Sequence, residues 1–164
     1  MGSWWARKAR QAGRHLAARV RPAERAALDA WTTPAQRLLF DAMPRPDQRH
    51  ALDVVARLRA RGIDDPEVLA AGLLHDAGKG RSIRLWHRVA WSLGERFGPR
   101  AWATAGRLPG GARAMARLRD HAERSAELAA RAGCRPRTVA LIRGDAAATD
   151  AAAARALHEA DEAT

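Results

Sequence analysis

The 164-residue chain is poor in several residue types, and each scarcity narrows its class. It has a single cysteine, Cys134, which excludes an internal disulfide framework and a cysteine-rich zinc site. Tyrosine is absent and phenylalanine occurs twice, so the aromatic interleaving of a base-stacking platform is missing. No run approaches the ~18–20 uncharged apolar residues of a membrane span, and the N-terminus lacks the apolar stretch and cleavage site of a secretory signal. Lysine is equally scarce: of 29 Lys+Arg, only Lys8 and Lys79 are lysine. The formal charge of +11 therefore reflects an arginine- and alanine-rich composition more than a nucleic-acid footprint. The bias is uneven, with ten Lys+Arg against four Asp+Glu in residues 1–50 and six against eight in residues 120–164. Together these features predict a cytoplasmic globular protein, for which nucleic acid is a poor partner and a membrane surface a peripheral one.

Helix formers and three-to-four-residue apolar spacing recur along the chain, and no alternating strand run interrupts them, so the fold class expected is all-α. An amphipathic helix is expected over residues 4–20, with Trp4 and Trp5 beside Arg7, Lys8 and Arg10. Short helices follow over residues 23–31 and 34–43. A further helix starts near Pro46 and stops at Gly62. The next has a clear start, with Asp65 as cap, Pro66 in the first turn and Glu67 at the positive end of the dipole. It ends in His75-Asp76, where Gly78 and Gly80 break it. Helices are expected over residues 82–97, around Trp102, over 112–132 with a break near Asp120, over 137–143 and over 150–163. Trp86 and Trp91, with Leu85, Val89 and Leu93, give the 82–97 helix a broad apolar surface, suited to core packing, a homodimer contact, a substrate-pocket wall or a membrane-facing patch.

Four positions combine into a chemical site: His50, the pair His75-Asp76, and an acidic residue near the end of the chain. Adjacent helical side chains diverge by about 100°, so His75 and Asp76 converge on one ion most easily at a helix end, which the glycines provide. Asp161 is the candidate for the last arm, in competition with Asp145, Asp150 and His158; its place in the last helical turn predicts a looser arm. Two imidazoles and two carboxylates suit one divalent Mn, Fe, Co, Ni or Zn ion, with Mg less favoured. Each residue also has an ordinary reading: a helix histidine, a solvated Asp161 beside Glu159 and Glu162, a solvated loop lysine at 79.

The string RHALDVVARLRARGIDDPEVLAAGLLHDAGKG resembles the HD-domain superfamily of metal-dependent phosphohydrolases, in its HD-x-G-K variant. The family pattern is a His on one helix, a His-Asp pair closing the next, and an Asp on a later helix. His50 matches the first, His75 and Asp76 the pair, and ALHEADEAT resembles the helix that supplies the last Asp, placed at Asp161. The likeness covers about residues 45–164, leaving residues 1–44 as an N-terminal basic extension. Dinuclear members carry two more histidines. His121 stands where the first would be, but Gly144 and Asp145 stand where the second would be, which favours a mononuclear site. The resemblance implies hydrolysis of a nucleotide or other small phosphate ester through a metal-bound water. Asp76 would hold the metal and position that water, and Lys79 would contact the phosphate. Arg84, Arg88, His121 and Arg143 are weaker substrate-side candidates. A competing expectation is a catalytically silent HD-fold regulatory or binding module, associated with a membrane surface.

Overall fold

A computed structural model describes residues 19–83 and 85–164. The amphipathic helix expected over residues 4–20 and the candidate Arg84 therefore lie, the former almost wholly, outside the described residues. Among the described residues ten α-helices follow one another: α1 (Pro22–Leu28), α2 (Pro34–Ala42), α3 (Arg45–Ala60), α4 (Pro66–Leu74), α5 (Leu85–Phe97), α6 (Pro99–Gly106), α7 (Gly111–Arg119), α8 (His121–Arg131), α9 (Pro136–Arg143) and α10 (Ala151–Glu162). Short 3-10 turns cover Ala77–Lys79 and Ala148–Asp150, and no strand occurs among the described residues. The all-α expectation holds. Among the described residues no helix is long and apolar enough to cross a membrane.

Local chemistry sets the helix starts. Pro22, Pro34, Pro66 and Pro136 occupy first helical positions, where a missing N–H costs nothing. The Thr33 hydroxyl accepts the Gln36 N–H at 3.2 Å, and the Gln36 side chain accepts the Thr33 N–H at 3.0 Å, a reciprocal cap. Asp65 accepts the Glu67 N–H at 2.9 Å, which confirms the start read from Asp65-Pro66-Glu67. The long stretch expected over 112–132 is divided at Asp120, whose backbone (φ −95°, ψ 10°) leaves the helical region. Helix α5 starts at Leu85 rather than near Ser82, because residues 81 and 82 still turn and Ile83 is buried.

Helix α4 is the centre of the molecule. Every residue from Val68 to Leu74 is buried, and α2, α3, α9 and α10 all pack against it. Gly72 lets α3 close in: a Cβ there would stand 2.9 Å from Leu58 Cδ1 and 3.3 Å from Val54 Cγ1. Phe40, Val54, Leu58, Leu73, Leu74, Ala126, Leu141, Ile142 and Leu157 share this main core. Leu28, Phe40 and Met43 belong to it too, so the core runs straight across the boundary drawn at residue 44 from the extent of the resemblance. Gln48 reinforces the join: it donates to the Met43 carbonyl at 2.9 Å and accepts from Arg25 at 2.8 Å.

A second, smaller cluster of Ile83, Ala114, Met115 and Leu118 is covered by Trp86, Ala90, Trp91 and Trp102. Trp91 and Trp102 stack at 5.0 Å, and the Trp102 indole N–H donates to the Trp91 carbonyl at 3.1 Å. A Cβ at Gly94 would overlap the Trp102 ring, 1.9 Å from Nε1. The tryptophans on α5 thus have a packing role, while Val89 on the same helix remains exposed.

Candidate metal centre

His50 projects from the second turn of α3, and His75 is the residue that closes α4. Asp76 follows with φ −101° and ψ 1°, in the sparsely populated bridge region common at active sites. This departure from helical geometry lets two sequence neighbours face one point. Asp161 enters from the last turn of α10. That turn is closed by Thr164, whose N–H donates to the Asp161 carbonyl at 3.0 Å and whose hydroxyl donates to Ala160 at 2.7 Å.

The donor atoms cluster tightly. Asp161 Oδ1 lies 2.7 Å from His50 Nε2 and 3.4 Å from His75 Nε2. Asp76 Oδ1 lies 3.5 Å from His75 Nε2, and Asp76 Oδ2 lies 3.8 Å from His50 Nε2. His50, His75 and Asp76 each offer a ligand atom within 4.8 Å of the others. Bonds of ~2.1 Å to a common cation would separate neighbouring donors by ~3.0 Å at right angles and ~3.4 Å at tetrahedral angles. The two His75 contacts, at 3.4 and 3.5 Å, fit that range, whereas His50 and Asp161 meet in a direct 2.7 Å hydrogen bond and Asp76 Oδ2 stands farther from His50, at 3.8 Å. Of the four candidates for the last arm, Asp161 alone meets both histidines. Asp150 accepts from Arg137 at 2.8 Å, Asp145 faces Arg143 at 3.6 Å, and His158 is exposed beside Glu162.

Two of the buried side-chain atoms without a hydrogen-bond partner stand at this centre: His75 Nε2 and Asp76 Oδ1. They lie 3.5 Å apart. Orphaned buried polar atoms are costly, and a cation between these two would satisfy both. The His75 tautomer follows from its other nitrogen, which donates to the Gly72 carbonyl at 3.0 Å and leaves the Nε2 lone pair aimed inward. His121 repeats the arrangement: Nδ1 donates to the Leu118 carbonyl at 2.6 Å, and Nε2 stands 3.8 Å from Asp76 Oδ1.

Electrostatics sharpen the picture. Burial disfavours charge on His75, but the Asp76 and Asp161 carboxylates outweigh it and push its pKa up to about 9. Burial likewise opposes ionisation of Asp76, yet Lys79, His75 and His50 hold its carboxyl well below the usual range. Asp161 is held low in the same way by the two imidazoles, against its burial. His121 shifts down, through burial and then the neighbouring Lys79 charge. Both carboxylates are thus anionic donors at neutral pH.

The remaining sequence candidates are placed as follows. Lys79 donates to Asp76 Oδ2 at 2.6 Å, so its ammonium rests on the Asp76 carboxylate rather than standing free for a phosphate. The Arg88 guanidinium donates to both oxygens of Asp47, at 2.6 and 2.8 Å. Arg143 is exposed and donates to Glu123 at 2.8 Å. His121 alone of the described substrate-side candidates, besides Lys79, faces the centre. Sequence reasoning missed two supports. Asp47 is 1% exposed and stands one turn before His50 on the same face of α3. Ser125 accepts the Gly78 N–H at 2.9 Å and pins the 3-10 turn after Asp76 to α8. The i, i+3 spacing of Asp47 and His50 was the available signal. No family model, curated protein or solved structure matches the chain.

Proposed function

We propose that the chain is a mononuclear, HD-type, metal-dependent phosphohydrolase acting on a small phosphate ester. The observation that carries this reading is the convergence of His50, His75 and Asp76 within ligand distance of one another, with Asp161 reaching both imidazoles from α10 and with His75 Nε2 and Asp76 Oδ1 buried and without a hydrogen-bond partner. The mixed nitrogen and oxygen donor set favours Mn, Fe, Co, Ni or Zn over Mg. When bound, such an ion lowers the pKa of water and polarises a phosphoryl oxygen.

The chain's own residues prepare the site. Gly72 fixes the His75 ring through Nδ1, and Lys79 neutralises and orients Asp76. Asp76 is positioned to hold the ion with one oxygen while the other keeps its contact with Lys79. His121, with its charged form disfavoured, presents a neutral Nε2 3.8 Å from Asp76 Oδ1 and can accept a hydrogen bond from water or a substrate hydroxyl.

The test is hydrolysis of p-nitrophenyl phosphate, bis-p-nitrophenyl phosphate and a panel of nucleotides by protein reconstituted with Mn, Co, Ni or Zn. Activity toward at least one ester is expected, falling by about a hundredfold or more in Asp76→Asn and His75→Ala. Absence of hydrolysis with every ion, or activity unchanged in both variants, contradicts the proposal.

A further inference from the structure

Three basic side chains near the centre are committed to acceptors in the protein. Lys79 is on Asp76, Arg88 on Asp47, and the Arg81 Nε donates to the Ala42 carbonyl at 3.3 Å. Arg117 is different. It sits in the last turn of α7, half-buried between Met115 and Leu118 of the second cluster. Among the described residues no carboxylate pairs with it. Its guanidinium lies over Gly80, the residue that follows Lys79: Nη1 would stand 2.7 Å, and Cζ 3.8 Å, from a Cβ built on that glycine. Gly80 has φ +68°, so the loop both requires glycine and leaves open the space the guanidinium fills.

A half-buried guanidinium without a counter-ion, set on the loop that leaves a metal centre, calls for an anion. Planar and forked, it matches two oxygens of a phosphate at once. The position also sets a reach. One 3-10 turn, Ala77–Lys79, separates Asp76 from Gly80, roughly 8 Å at ~2 Å per residue. That is beyond a phosphoryl held at the metal, and within reach of a second anionic group on the same small molecule. The His121 imidazole, which begins α8 just after α7, flanks the intervening turn.

We infer that Arg117 is a specificity-determining residue, and that the substrate class is a phosphate ester carrying a second phosphate on a separate carbon, read by this guanidinium. The inference rests on the metal-centre reading and adds the substrate's second anchor. Gly80 matters to it as the residue that admits the guanidinium.

The test is calorimetric titration of Mn-loaded full-length protein with glucose 1,6-bisphosphate and with glucose 6-phosphate, with metal content measured on the same samples. Arg117→Ala is expected to weaken the bisphosphate by roughly tenfold or more while leaving the monophosphate nearly unchanged. Arg117→Lys should recover part of the loss. Arg113→Ala, which removes an exposed arginine one turn earlier on α7, should change neither. Equal effects of Arg117→Ala on both sugars, no effect on either, or loss of metal from that variant would overturn the inference and leave the metal centre standing. Wild-type protein that takes up no metal, or that holds metal and binds neither sugar, would overturn the inference too, the former together with the metal-centre reading.

Discussion

On the proposed metal-centre reading, a proton and a cation compete for His75 Nε2. Without a cation the folded pKa of about 9 lies above the unfolded value of 6.5. The protonated ring therefore contributes stability that is fully present below about pH 6.5 and is lost as pH rises through about 9. Metal-free protein should show a falling Tm across that interval, and His75→Gln should flatten the slope. Cation binding runs the other way, because the ligand is the deprotonated ring. Uptake should release protons and tighten as pH rises toward 9, checked by calorimetry in two buffers of different ionisation enthalpy. At this scale the sequence was informative where residue type and order are unusual together: His50, His75-Asp76 and the glycines after them. It was silent on pairing. Nothing in the string says that Lys79 lies on Asp76 rather than on a ligand, or that Asp47 is buried on Arg88. Such partners are chosen by tertiary approach, which one-dimensional spacing does not encode. Asp161 was legible only through its likeness to a family helix, since Asp145, Asp150 and His158 offered comparable chemistry.

The site is assembled by elements meeting at short range, and the closest meeting is at the 3-10 turn. A Cβ on Gly78 would stand 2.5 Å from the His121 carbonyl oxygen and 2.7 Å from the Ser125 nitrogen, both backbone atoms of α8. Gly78→Ala should therefore push the turn from α8, destabilise the fold by about 1–3 kcal/mol, and weaken metal binding, because Asp76 precedes the turn. Thermal denaturation and metal titration read the two effects. Gly62→Ala is the contrast: space is open around it, so only its φ of +77° resists, and metal binding should be unaffected. Helix α5 is fastened to the turn preceding His50 by the Arg88–Asp47 pair, whose carboxylate is fully buried. Asp47→Ala leaves a cation partly buried and alone, and should cost about 3–5 kcal/mol by chemical denaturation. Helix ends were the most readable feature of the sequence, because capping is local: Asp65-Pro66, the Thr33–Gln36 pair and the break at Asp120 all act within four residues.

At the scale of the molecule, two clusters divide the packing of the described residues between them. The main core surrounds α4 and holds the centre, and the second lies under α5, α6 and α7. Among the described residues the second has four buried apolar side chains against the main core's much larger set, so hydrogen exchange in α5 and α6 should proceed through openings of lower free energy than in α3 and α4. The main core includes Phe40, which is fully buried. Phe40→Ala should destabilise the protein by about 3–5 kcal/mol, and residues 45–164 alone should lose cooperative unfolding. The short helices before residue 44 could be read from the sequence, but their membership of the core could not, since neither α1 nor α2 is long enough to display a full apolar stripe. The central claim is that one cation joins α3, α4 and α10. Elemental analysis of untagged protein, wild type beside His75→Ala and Asp161→Ala, tests it most directly. About one transition ion per chain, lost from both variants, is the predicted result. A wild type that binds none when Mn, Co, Ni and Zn are each supplied, or variants that retain the ion in full, would contradict it.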